Sequence, residues 1–352
     1  MTPAYTWLWI VLGVEGLILA GCLGLLLGRT VWLRWDALRW DPNVRQVRTA
    51  LIQALETDAT TGRNLPAVHL LPRRIQMGLF IDVAERLSGS HLKELAYIAR
   101  QLSIVQHGEH LCRSRRWSRR IQGIRLLTAL GEGERLIPSL FRDPSPIVRS
   151  EVTHWAADHP SPAVIDEVLL ALTDADGFCR FAAHNALHRM GVAAVRPLER
   201  YIAFQTGTAL ERAMAVAASS GHEQFSKLAG TMVGHSSPVV RKLALDTLAR
   251  SGDLQSVPLV LDRLNDAEPP VRRAAVRTLG QLYYWQAAPA IGRLLADPVW
   301  MVRLEAGAIL RSLGAPGNLV LRRALANPDR FVADMARHVL GFPSLKARTE
   351  PA

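Results

Sequence analysis

The chain has 352 residues, 42 Lys and Arg against 31 Asp and Glu, and a formal net charge of +11. Three cysteines, one of them Cys22 inside an apolar run, exclude a disulfide framework, and no Asn-x-Ser/Thr sequon occurs. The positive excess predicts attraction to anionic surfaces, whether inner-leaflet lipid, nucleic acid or an acidic protein.

The first predicted element is Trp7 to Leu27, a 21-residue run with one charge, Glu15. As a helix it is long enough to cross about 30 Å of hydrocarbon. Tyr5, Trp7 and Trp9 stand at one end and Trp32, Trp35 and Trp40 beyond the other, placed like interfacial belts. No Lys or Arg precedes the run, while Arg29, Arg34 and Arg39 come after it. The positive-inside rule then puts the N-terminus outside and the rest of the chain in the cytoplasm, held by an uncleaved single-pass anchor in the inner membrane. The Ala-, Leu- and Arg-rich composition suits a bacterium with GC-rich DNA. Gly16, Ala20, Gly24 and Gly28 recur every four residues as a ridge of small side chains, with Glu15 beside it. Such a ridge suits close packing on another membrane helix, of a second copy or of a different protein.

The juxtamembrane and leading segment, 29–112, predicts helices near Val44 to Glu56, Arg73 to Leu87 and His91 to Gln106, with a polar stretch at Thr57 to Asn64. In the third, Leu92, Leu95, Ala99, Leu102 and Val105 mark one apolar face. These helices are read as a cap on the helices C-terminal to them, a small separate domain being the alternative. Cys112 to Arg120 then holds Arg113, Arg115, Arg116, Arg119 and Arg120 around Trp117. This is either a solvated helix start or a contact for anionic lipid headgroups or an acidic partner. Arginine with an interleaved Trp also suits nucleic acid, the less favoured partner for a tethered chain.

From 113 to 341 one phrase recurs about every 31 residues: a polar starter, a turn, an apolar residue, Arg, then a helix of small and aliphatic residues closing on Gly. The copies run from Asp143 to Arg149, Asp174 to Arg180, His235 to Arg241, Asp266 to Arg272 and Asp297 to Arg303, the starter six residues before the Arg each time. Gly191, Gly252 and Gly314 stand eleven residues after their Arg, and Arg120 with Gly131 keeps the same interval. Ala275, Val276, Leu279 and Leu282 fall at helical spacing, and Pro258 and Pro289 each sit eight residues before a starter, at the first turn of a second helix. The unit is therefore helix, tight turn, helix, and the fold class is an all-α solenoid of helical hairpins preceded by one transmembrane helix. Thr208 to Phe225 is a degenerate copy; the last unit, Asn327 to Ala333, has Ala in the Arg place, as a terminal cap would. Residues 342–352 read as a flexible tail.

These motifs resemble HEAT repeats, most closely the short HEAT-like type first associated with phycobilin lyases. The resemblance implies a hydrogen-bonded ladder between successive turns, built from Asp143, Asp174, Asp266 and Asp297 with Arg149, Arg180, Arg241, Arg272 and Arg303. His235 departs from it. Deoxyhypusine hydroxylase, on a similar scaffold, places His-Glu pairs just after the repeat Arg to bind iron; this chain has Ser150-Glu151, Phe181-Ala182, Lys242-Leu243, Arg273-Ala274 and Leu304-Glu305 there. His184 and His188 have zinc-ligand spacing with no third ligand evident, and His222-Glu223 is a single pair. Trp155, Trp285 and Trp300 have no marked acid such as a HEAT-like DNA glycosylase would need. No phosphate loop, dinucleotide turn or serine elbow occurs. The sequence thus predicts a non-enzyme with no catalytic, metal or cofactor residues. It reads as a membrane-anchored scaffold for a protein partner, such as a membrane-embedded enzyme or an envelope polysaccharide assembly. The alternative is a lyase- or chaperone-like accessory holding a chromophore or substrate in the groove.

Overall fold

The computed structural model describes residues 42–53, 55 and 67–341, and outside them only the isolated helical positions Glu15, Leu17, Gly21, Leu23 and Gly24. The expected span, most of its small-residue ridge (Gly16, Ala20 and Gly28 included) and the tail 342–352 lie outside the described residues. Among the described residues no helix is long and apolar enough to cross a membrane, and the regular structure is helical throughout. The chain divides into two compact units at Ile137 and Pro138, so that the helix carrying Arg120 falls in the first.

The first unit contains the described helical residues 42–53, whose Val47 and Leu51 are buried, and four helices. These are α1 (Arg73–Ala84), α2 (Ser90–Gln101), α3 (Ile104–Cys112) and α4 (Trp117–Ala129). The single helix expected over His91 to Gln106 is broken. Ser103 takes φ 57°, and Arg73 Nη1 donates 3.1 Å to the Leu102 carbonyl that the break frees. The buried Gln76 amide ties this corner together by donating to Val68 O at 2.9 Å and Leu71 O at 2.7 Å. α3 and α4 pack closely because glycine faces glycine: a Cβ on Gly123 would stand 2.6 Å from Gly108 O and 2.8 Å from Cys112 N.

The second unit is a two-layered run of helices. One layer holds α5 (Pro146–Ala156), α7 (Gly177–Met190), α9 (Gly207–Ser220), α11 (Pro238–Ser251), α13 (Pro269–Gln281), α15 (Trp300–Ser312) and α17 (Arg330–Gly341), each packed on the next. The other holds α6 (Pro162–Ala171), α8 (Val192–Phe204), α10 (Phe225–Met232), α12 (Val257–Asp262), α14 (Ala288–Arg293) and α16 (Ala315–Ala324). Proline at the first turn of α5, α11, α13, α12 and α14 costs no helical bond. The residue before each repeat Arg, Val148, Cys179, Val240, Val271 or Val302, is fully buried. Burying a valine side chain in this way contributes roughly 1.5–3 kcal/mol. The degenerate copy has its helix, α9, at full length.

Candidate partner-binding surface

The register of the second unit is set by arginines used on both edges. Arg149 donates from Nε and Nη2 to Asp174 Oδ2 and Oδ1 at 2.8 and 2.9 Å, while its Nη1 reaches Asp143 O at 2.8 Å. Arg241 holds Asp266 in the same way at 2.8 and 2.7 Å, and Arg272 holds Asp297 at 2.7 and 2.9 Å. Each aspartate also accepts the backbone N–H two residues on, as Asp266 does from Glu268 at 3.0 Å. Bidentate pairs of this kind are the strong, geometrically specific ones. The hydrogen bonds of Arg149 hold the Asp174 carboxyl below the usual carboxylate range against the opposing effect of burial. Burial pushes the Asp266 carboxyl up, and the bonds from Arg241 and from the Glu268 N–H outweigh it.

Two rungs differ. In the degenerate repeat Glu211 stands in the arginine register, and His235 stands in the aspartate's. Ser237 Oγ donates 2.9 Å to Glu211 Oε1, while His235 Nδ1 accepts the Ser237 N–H at 3.0 Å in place of a carboxylate oxygen. Arg180 and Arg303 keep the inner contacts, Nη1 to Asp174 O at 2.8 Å and to Asp297 O at 2.6 Å, but the sequence has Gln205 and Pro328, after Asn327, 25 residues on, where the filled rungs have aspartate.

Because the ladder repeats the first turn of each second helix in one orientation, the residue two before the Arg is presented at the same edge each time. Those residues are Ile147, Phe178, Val239 and Met301, with Phe331 two before Ala333 in the last unit, all between 44% and 80% exposed; Ala209 and the exposed Pro270 hold the two other registers. Trp300 and Phe181 widen the row. Sequence reasoning passed over it, although the fixed offset from the Arg was a readable signal.

In the first unit, the arginine segment splits. Arg113, Arg115, Arg116 and Arg119 are exposed beside a half-exposed Trp117. Arg120, expected with them, is instead buried: its Nη1 donates to Ser114 O at 2.8 Å and Arg115 O at 3.0 Å, six and five residues back, as the repeat arginines do. The closing interval to Gly131 already marked it as a repeat arginine. Residues 1–137 carry 18 Lys and Arg against 11 Asp and Glu, which is seven of the net +11.

Other reactive candidates sit in structural settings. Cys112 is buried, which pushes its thiol up to about 12, and Cys179 is buried with Sγ 3.2 Å from Pro146 O. Burial, then His188, lowers the pKa of His184, whose Nε2 lies 3.1 Å from Ser219 Oγ. Trp155 is in the core, stacked on His159 with ring centroids 4.5 Å apart. Among the described residues no three His, Cys, Asp or Glu side chains are grouped to hold a metal. Tyr283, at φ 51° where other repeats close on Gly, lines with Trp285, Ser312, Leu313 and Pro316 an open cavity of about 270 Å³.

Residues 225–311 and 257–341 match the family model for HEAT repeats. Among solved structures, the chain is similar to YibA of Escherichia coli, at 17% identity over 75% of this chain and 95% of that one, TM-score 0.41. It is similar to the CpcE and CpcF complex of phycocyanin lyase from Nostoc sp. PCC7120, at 16% identity over 58% and 92%, TM-score 0.36. It is also similar to human deoxyhypusine hydroxylase in complex with glycerol, at 18% identity over 68% and 95%, TM-score 0.29. No match is found among curated proteins. The expectation of a non-enzyme is corrected by these neighbours, which include a hydroxylase and a lyase: the helical-repeat architecture does not by itself assign a chain to the non-enzymes. TM-scores this low carry no argument for either activity here.

Proposed function

We propose that this HEAT-repeat chain is a binding scaffold that holds a partner protein along the row Ile147, Phe178, Val239, Met301 and Phe331. The single observation that carries the reading is the exposure of a large apolar side chain in five of the seven repeats, at one fixed position in the repeat, beside a neighbour that is buried in every repeat. Contiguous exposed apolar surface marks interaction sites. The sequence of Trp7 to Leu27 supports a tether in the inner membrane, and Arg113, Arg115, Arg116 and Arg119 with Trp117 support contact with anionic headgroups. Tethering raises the effective concentration of the row beside a membrane-embedded partner, such as an enzyme or an envelope polysaccharide assembly. The test is crosslinking in intact membranes with the variant Phe178→Ser, Met301→Ser, Phe331→Ser. The expected result is loss of the copurifying membrane protein with an unchanged melting midpoint; undiminished copurification refutes the row.

A second reading, an accessory protein holding a flat substrate or chromophore, is favoured by the aromatic cavity at Tyr283 and Trp285. Visible absorbance of the purified chain, beyond what tryptophan gives, separates the two.

A further inference from the structure

Among the described residues Arg303 ends the ladder with its carboxylate-binding edge unused. In the three filled rungs, Nε and Nη2 together hold an aspartate of the next repeat at 2.7 to 2.9 Å. Arg303 keeps the inner half of that geometry, its Nη1 donating to Asp297 O at 2.6 Å and Pro298 O at 3.0 Å, so its guanidinium is held in place as the others are. Among the described residues nothing accepts from its Nε or Nη2, because the next repeat offers Asn327-Pro328, and the Asn327 side chain is occupied in accepting the Asp329 N–H at 2.9 Å.

Among the described residues, what borders the guanidinium here has no counterpart at the filled rungs. Its carbon lies 5.7 Å from the Trp300 ring centroid and 5.4 Å from that of Phe331, and Arg330 lies 5.6 Å from the same Phe331 ring. His338 stands against Trp300 at 6.3 Å. Trp300 and Phe331 are about half exposed, and Arg303 itself is partly exposed. Cation–π contacts with two rings fix the plane of the fork while leaving its edge free, and a fork fixed in advance loses less entropy on binding. Arg180 also lacks an aspartate, but among the described residues no ring contact clamps it.

From this geometry we infer that Arg303, walled by Trp300 and Phe331, is a receptor for an aspartate that a partner protein presents at the start of a helix. The three filled rungs show the chemistry the fork takes: a carboxylate whose own backbone is turning into a helix. The inference names the chemistry of the partner on the apolar row and rests on that reading, since Met301 and Phe331 belong to both.

The probe is a fluorescein-labelled peptide copying residues 266–278 of this chain, which carries Asp266 at its helix start, together with a version bearing Asp266→Asn. Anisotropy is read with the full-length chain in detergent micelles. Arg303→Lys, which keeps the charge and removes the fork, is expected to weaken the Asp peptide ~10-fold, the scale of one charge-assisted bidentate contact. The same variant should leave the Asn peptide unchanged, so that the two substitutions are not additive. Equal weakening of both peptides, or no measurable binding of either, overturns the inference. So does displacement of the peptide by sub-millimolar inorganic phosphate, which would make this a phosphate site. Binding lost with Phe331→Ser but untouched by Arg303→Lys would sink the carboxylate receptor and leave the row standing. A circular-dichroism melt of Arg303→Lys checks folding; if that variant is unfolded, Trp300→Ala serves, with the same preference for the Asp peptide expected to shrink and an unchanged preference counting against the site.

Discussion

At the scale of single residues, spacing made the ladder positions readable, and chemistry hid their exceptions. An Arg six residues after an Asp is visible in four copies, whereas in the degenerate repeat Glu211 keeps a link to the next repeat through the Ser237 hydroxyl, with His235 accepting the Ser237 N–H in place of an aspartate. Tyr283 is a different kind of exception. Its φ of 51° belongs to the region the closing glycines use, such as Gly252 at φ 70°. A left-handed backbone costs a non-glycine residue roughly 1–2 kcal/mol. Tyr283→Gly should therefore raise stability by about 1 kcal/mol, a gain in melting midpoint of roughly 2–4 °C for a chain of this size. A midpoint that falls would show that the ring packs well enough to outweigh the strain. The place of this tyrosine eleven residues after Arg272, where the other repeats have Gly191, Gly252 and Gly314, marked it in the sequence, although composition carried no trace of the backbone strain.

At the scale of elements, the repeat helices were legible and the leading ones only partly so. Proline at the first turn and glycine at the close delimit α11 from sequence alone, and proline marks the start of α13, whereas Ser103 carries no signal that it breaks a helix between Leu102 and Ile104. The close pairing of α3 and α4 gives a sharp test. A methyl at Gly123 would press on the Gly108 carbonyl and the Cys112 N–H, backbone atoms that cannot rotate away. Gly123→Ala is expected to destabilise the first unit by about 1–3 kcal/mol, as overpacking does, read as an earlier midpoint in chemical denaturation. An unchanged midpoint would mean that the two helices slide apart freely.

For the whole molecule, a 31-residue period identified stacked hairpins without any knowledge of a partner, and the same regularity explains why function stayed hidden. Side chains that build the stack repeat, whereas those that recognise something else vary from copy to copy. The stack also sets an acid limit. Asp174 and Asp266 are held below the ordinary carboxylate range, the first by Arg149 and the second by Arg241 against burial. Burial likewise raises the pKa of Glu305, and Arg277 and Arg273 outweigh it. The folded pKa values thus lie below the unfolded ones, so protonation favours unfolding. This part of the stability is fully present above about pH 4 and is lost as pH falls through the folded values. The melting midpoint should be flat in this respect above pH 5 and drop steeply in more acid solution, with Asp174→Asn plus Asp266→Asn flattening the drop. An equally steep acid limb in that double variant would place the acid sensitivity elsewhere.

The constant offset of the filled rungs makes the chain divisible in only one kind of unit. Arg241 reaches Asp266 and Arg272 reaches Asp297, each across 25 residues. Excising residues 266–296 brings Asp297 to the place Asp266 held, opposite Arg241, and closes the seam with a native pair; excising half that length leaves two charges without mates. Growth and shrinkage by gene duplication or loss are thus quantised by the ladder itself, and a shortened descendant would inherit the terminal Arg303 unaltered.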